Sequence, residues 1–163
     1  MSITFSIAVP YEVMEDYLRG NSTNRIATLA RHYDHVWLIS ITNAYSFHFD
    51  PSRPLLRDGE DRIALEFDDI DHQSTAIHTY TPFDKSMALK VASFIKRAHE
   101  SNPDGQDLLV INCHAGISRS GAVSSFARSV FNLDYAEWKR AQPQVIPNLL
   151  VQRLLFETWS EMK

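Results

Sequence analysis

The sequence predicts an α/β domain with a central, mainly parallel sheet flanked by helices. Three observations carry this. Short β-rich apolar runs alternate with stretches whose apolar residues recur every three or four positions. The strongest runs are almost continuously apolar, as strands buried on both faces have to be. The last run leads through a short glycine-containing loop into a helical stretch, and parallel sheets bind ligands just beyond such strand ends.

The elements follow in order. ITFSIAV near the start alternates apolar and polar residues and reads as a strand. HVWLISIT, from His35 to Thr42, is a stronger strand, and RIALEF, from Arg62 to Phe67, is a third. The run Pro51 to Gly59 is a surface connection by its turn chemistry. A helix is expected from Thr81-Pro82 to about Ser101, with Thr81 as its cap and Pro82 at its first position. Met87, Val91, Phe94, Ile95 and Ala98 form its apolar stripe. Asn102-Pro103-Asp104-Gly105 then turns the chain. DLLVIN, from Asp107 to Asn112, is the fourth strand. Three helices should complete the chain. One runs from Arg119 to about Val130. One starts at Asp134 with Glu137 in a capping box, and one starts at Asn148 with Leu150, Val151, Leu154, Leu155 and Thr158 on one side.

Bulk properties narrow the function. The 163 residues suit one domain, 1–163. Hydrophobic residues make up 44% and charged residues 22%, ordinary for a soluble globular protein. A net charge of -4 argues against a broad nucleic-acid-binding face. The start has no basic region followed by an apolar core, and no run approaches the length of a membrane span, so neither a signal peptide nor a membrane partner is expected. Cys113 is the only cysteine. It excludes an internal disulfide and fits a reducing, cytoplasmic setting.

The chemistry concentrates in Val110 to Val123, VINCHAGISRSGAV. Five residues separate Cys113 from Arg119. A loop this short, curled between a strand end and a helix start, turns backbone N–H groups inward as an anion-binding nest. The first helical turn adds unpaired N–H groups and the favourable end of the dipole. Gly116 permits a backbone angle that a side chain obstructs. Arg119 presents a planar fork to two phosphoryl oxygens. Phosphate-binding positions are therefore His114, Ala115, Gly116, Ile117, Ser118 and Arg119. Cys113 at the base of the cradle becomes a thiolate aimed at phosphorus. Ser120 is placed to donate to the Cys113 sulfur, and Ser118 to brace the loop. Taken singly, each has a plainer reading: Cys113 as a small buried hydrophobe, His114 as a surface histidine, the serines as helix caps.

The stretch CHAGISRS resembles the signature of the cysteine-dependent protein tyrosine phosphatases, in particular the compact dual-specificity-like and bacterial or phage members. That pattern is Cys, five residues, Arg, then Ser or Thr. LKVASFIKRA is similar to the helix preceding the signature strand, LISITNAYSF to an early central strand, and PQVIPNLLVQRLL to a C-terminal helix of the small bacterial members. The resemblance implies a tyrosine-phosphatase-like fold and phosphomonoester hydrolysis through a cysteinyl-phosphate. One position departs from it: Asn112 stands where the family usually has histidine before the nucleophile. Asn112 cannot carry a positive charge, so thiolate stabilisation from that position is weaker.

A leaving group needs a general acid, and the attacking water a general base; one carboxyl can serve both. The resemblance implies that this group lies on a loop between a strand end and the helix before the signature. Asp68, Asp69 and Asp71 gather there. LEFDDI resembles the strand-end pattern of the small bacterial phosphatases, which favours Asp69. Asp71 is the alternative, Asp68 points the opposite way if the strand runs through it, and Asp84 is a more distant candidate.

The expected partner is a phosphotyrosine-containing protein or peptide, with Tyr45, Phe47 and Phe49 as a possible aromatic wall. Dual-specificity or non-protein phosphatase activity, or non-catalytic phosphate recognition, are the alternatives. The variable loop positions contain no Lys or Arg, which disfavours phosphoinositide or RNA 5′-phosphate substrates. An arsenate reductase would need further thiols. No cofactor or metal is expected: His72, His78 and His99 show no ligand spacing with Cys113 and His114.

Overall fold

The structure, a computed structural model, describes residues 2–44, 54–70 and 80–162. Four strands, β1 (Ile3–Pro10), β2 (His35–Thr42), β3 (Arg62–Glu66) and β4 (Asp107–Cys113), form a wholly parallel sheet in the order β1-β4-β2-β3. Among the described residues six helices surround it: α1 (Tyr11–Leu18), α2 (Arg25–Ala30), α3 (Lys85–Glu100), α4 (Arg119–Val130), α5 (Tyr135–Ala141) and α6 (Leu149–Glu161). This is the α/β class that the alternating runs predict.

Each strand feeds two cores because its side chains alternate. Leu109, Ile111 and Cys113 of β4 face one cluster with Ile39 and Ile41 of β2 and the apolar stripes of α3, α4 and α6. Leu108 and Val110 face the other, with Met14 of α1, Ile26 of α2 and Trp138 of α5. All seven residues of β4 are buried. Burial on both faces explains why DLLVIN and HVWLISIT lack clean alternation.

β1 is an edge strand, and Gln142 blunts it. The Ala8 N–H donates to Gln142 Oε1 at 2.7 Å, and Gln142 Nε2 donates to the Ser6 carbonyl at 2.9 Å. One side-chain amide thus replaces a strand neighbour, which removes a pairing edge.

The structure differs from the sequence reading in several places. Helix α3 starts at Lys85, with Asp84 as its cap accepting from the Met87 N–H at 2.8 Å. Thr81 does not cap it, because its backbone is clamped to Asp68. The Thr81 N–H donates to Asp68 Oδ2 at 2.7 Å, and the Asp68 N–H to the Thr81 carbonyl at 2.7 Å. β3 ends at Glu66, one residue early, and the Phe67 carbonyl turns instead to Arg119. Helices α1 and α2 occupy a stretch for which the sequence suggested no element. The turn at Asn102–Gly105 is closed by a hydrogen bond from the Gly105 N–H to the Asn102 carbonyl at 2.9 Å. Asp71, Tyr45, Phe47, Phe49, His72 and His78, and the first part of the Pro51–Gly59 connection, lie outside the described residues.

Candidate active site

β4 is a central strand, so its carboxyl end opens between β1 and β2, and the loop from Cys113 to Arg119 sits there. Its carbonyls are tied outward. The His114 carbonyl accepts from the Tyr11 N–H at 3.0 Å, and the Gly116 carbonyl from Gln144 Nε2 at 3.3 Å. The Ile117 carbonyl accepts from the Ile146 N–H at 3.1 Å. The Ser118 carbonyl accepts from the Asn148 N–H at 3.0 Å and the Ala122 N–H at 2.9 Å. In a trans peptide, the N–H of the next residue points opposite to the carbonyl. The N–H groups of Ala115, Ile117, Ser118 and Arg119 therefore face away from these anchors, into the loop. That is the nest an anion requires.

Gly116 makes this curl possible. It has φ +73°, and a Cβ there would lie 2.5 Å from the Val9 carbonyl carbon and 2.6 Å from the Pro10 nitrogen. The loop is packed directly on the end of β1, and no side chain fits between them.

Helix α4 begins without a side-chain cap. Ser118, which could have served as one, instead donates from Oγ to Asp69 Oδ1 at 2.9 Å. The helix thus keeps its first N–H groups and its positive dipole end turned to the loop.

Arg119 is 4% exposed. Its Nη1 donates to Asn43 Oδ1 at 2.6 Å and to the Phe67 carbonyl at 2.8 Å. These bonds, from the ends of β2 and β3, fix the plane of the guanidinium. Its Nε is buried with no partner among the described residues. A buried donor left unpaired is costly, and an anion in the loop would satisfy it.

Cys113 is 2% exposed, and its sulfur is hydrogen-bonded to the fully buried Ser120 hydroxyl at 3.0 Å. With the sulfur ionised, Ser120 is the donor. Asn112 is fully buried, its Nδ2 donating to the Cys113 carbonyl at 3.3 Å, while its Oδ1 has no partner among the described residues. By alternation it lies on the opposite face of β4 from the Cys113 sulfur, so it contacts the backbone of the cysteine.

The aspartates separate clearly. Asp69 is exposed, and its Oδ1 accepts from Ser118 and, at 2.8 Å, from Asn148 Nδ2. It lines a cavity of about 190 Å³ together with Asn43, Tyr80, His114 and Arg119. Asp68 borders the same cavity but is buried and clamped to Thr81. Asp84 caps α3 and is not part of the cavity wall. No group of metal-ligating side chains is found among the described residues.

The sequence reading did not single out Asn43, Asn148 or Gln144. Asn43 was findable in principle, since it follows the strand paired with β4 and carboxyl ends of neighbouring strands converge on one site. Asn148 was read only as a helix start. Its side chain does cap α6, accepting from the Val151 N–H at 3.1 Å, but it also holds Asp69.

No family model matches the chain, and no curated protein matches it. Solved structures do. The human tyrosine phosphatase-like serine/threonine/tyrosine-interacting protein is similar over 96% of this chain and 92% of its own, at 16% identity and a TM-score of 0.52. DUSP15 is similar over 100% and 88%, at 19% identity and a TM-score of 0.52. Human DUSP28 is similar over 96% and 92%, at 15% identity and a TM-score of 0.50. At these identities the likeness is one of architecture: the chain has a tyrosine-phosphatase-like α/β fold.

Proposed function

We propose that this chain is a metal-independent phosphomonoester hydrolase, a protein-tyrosine phosphatase working through a cysteinyl-phosphate. The observation that carries the reading is the loop from Cys113 to Arg119. Its carbonyls are anchored outward, and a buried, unpartnered Arg119 Nε stands beside it. Such a set of donors serves an anion and little else. We read the whole span 1–163 as one phosphatase domain that works in the cytoplasm, a reading its single free thiol supports.

In the proposed reaction the phosphoryl group lies in the nest, with two oxygens on the free edge of Arg119. The Cys113 thiolate attacks phosphorus, and the bond from phosphorus to the leaving oxygen breaks. That oxygen takes a proton from Asp69. In the second step Asp69 removes a proton from water, water oxygen bonds to phosphorus, and the sulfur leaves as a thiolate. Ser120 donates to it as charge develops. Inorganic phosphate departs, and the protein returns to its starting state.

The test uses an activated aryl phosphate and a panel of phosphotyrosine, phosphoserine and inositol phosphate substrates, with and without chelator. Turnover should survive the chelator and favour phosphotyrosine. Cys113→Ser should abolish turnover yet still bind vanadate or phosphate. Arg119→Lys should be severely impaired, since a point charge cannot reproduce the fork. Near-normal turnover by Cys113→Ser would refute the covalent route. Anion binding without any turnover by the unmodified protein would instead make it a phosphate-recognition module.

A further inference from the structure

A second cavity, of about 560 Å³, adjoins the first. It lies between Asp69–Ile70 and the stretch from Ile146 to Leu149, with Ser118 of the phosphate loop in its wall. Asp69 and Ile70 line both cavities, so the two meet at that wall.

Two side chains stand out there. Ile146 is 72% exposed and Leu149 68%, the highest values among the large apolar side chains described. Their backbone is not loose. The Ile146 N–H is bonded to the Ile117 carbonyl and the Asn148 N–H to the Ser118 carbonyl, so this ledge is fixed to the phosphate loop itself.

The polar groups in the same cavity are already engaged with one another. Ser118 Oγ and Asn148 Nδ2 both donate to Asp69 Oδ1, and Asn148 Nδ2 also donates to the Ile70 carbonyl at 3.0 Å. A polar ligand group desolvated here would find few free partners, whereas an apolar one gains by covering Ile146 and Leu149.

We infer that this ledge receives an apolar side chain flanking the phosphorylated residue of a polypeptide substrate. The inference rests on the phosphoryl-binding reading of the adjoining loop. An extended peptide advances about 3.4 Å per residue, so a neighbour one to three positions away reaches from one cavity into the other. An anionic membrane suits the ledge less well. Asp69 is at the shared wall, and the loop positions between Cys113 and Arg119 carry no Lys or Arg.

The experiment measures binding to the Cys113→Ser protein of phosphotyrosine peptides identical except for one flanking residue, Leu or Ser, placed on either side. The Leu peptide should bind roughly 10-fold more tightly on one side, the usual worth of a small apolar contact. The double change Ile146→Ser and Leu149→Ser should erase that preference. Leu149→Ser alone should weaken the preference, and with Cys113 intact its turnover of an activated aryl phosphate should be unchanged. Equal binding of the Leu and Ser peptides, or a preference that survives the double change, would overturn the inference. So would ledge-dependent binding to phosphatidylcholine–phosphatidylserine vesicles without any peptide preference. Failure of the unmodified protein to hydrolyse the aryl phosphate would count against the phosphatase reading alone, because the peptide-binding measurement needs no turnover.

Discussion

Asp69 and Arg119 share one cavity wall but are held in different ways. Arg119 is buried and oriented from one side only, by Asn43 and the Phe67 carbonyl on Nη1. The rest of its fork remains for a ligand. Asp69 is exposed and steadied through Oδ1, which accepts from Ser118 and Asn148. Its assignment as general acid predicts a dependence on the leaving group. A phosphotyrosine oxygen, with a pKa of about 10, leaves badly unless protonated. Asp69→Asn should therefore cost roughly 10² to 10⁴ in kcat/KM on a phosphotyrosine peptide. The cost should be much smaller on an activated aryl phosphate, and the fall in rate at high pH should flatten. Equal losses on both esters would move the acid to another residue, and Asp71→Asn is the next variant to measure. The sequence favoured Asp69 through the LEFDDI pattern alone, with Asp71 as the alternative. It did not show the clamp between Asp68 and Thr81, which joins the end of β3 to the segment before α3. Asn43 was findable by its place after β2 but was passed over, because an asparagine after a strand usually marks only a turn.

At the scale of elements, the loop from Cys113 to Arg119 is a backbone device. Its curl depends on anchors contributed by α1, by the segment before α6 and by the end of β1. Gly116 is where these demands meet. Gly116→Ala would force a left-handed conformation, which costs about 1–2 kcal/mol for other residues, and would also clash with the backbone at Val9 and Pro10. The variant should lose phosphate or vanadate binding while far-UV circular dichroism stays close to that of the unmodified protein. Unchanged anion affinity would show that the close approach to β1 is dispensable. Strands and long helices were legible because burial on two faces and the three-to-four spacing leave strong patterns in β2, β4, α3 and α6. α1 was not. It leaves β1 directly at Pro10 with no capping side chain, and α2, although capped by Asn24, is only six residues long. The misplaced start of α3 has a similar origin. Thr81-Pro82 has good cap chemistry, but the tertiary clamp at Asp68 used Thr81 first.

For the molecule as a whole, the two ends of the parallel sheet differ. The carboxyl ends of the strands carry the loop from Cys113 to Arg119. At the opposite end, Asp107 accepts from Trp37 Nε1 at 2.9 Å and from the Ser2 hydroxyl, and His99 packs between β1 and α4. His99 stacks on Phe131 with ring centroids 3.7 Å apart, and its Nδ1 accepts from the Ile3 N–H at 3.3 Å. Burial lowers its pKa below the ordinary imidazole value. The unfolded chain takes up that proton at about pH 6.5, before the folded protein does. His99 therefore contributes stability that is complete above about pH 6.5 and is lost as pH falls through its lower folded value. The thermal midpoint should drop between about pH 7.5 and pH 5, and His99→Gln should drop less. Equal drops would show that other groups set the acid sensitivity.

In the proposed reaction Cys113 accepts the phosphoryl group in the cradle completed by Arg119. The most direct measurement is an acid quench during turnover of an activated aryl phosphate, followed by mass analysis of the peptide containing Cys113. The expected result is one added phosphoryl group on that peptide, absent from Cys113→Ser and strongly reduced in Arg119→Lys. Sustained turnover with no phosphoryl adduct on Cys113, or turnover retained by Cys113→Ser, would contradict the account.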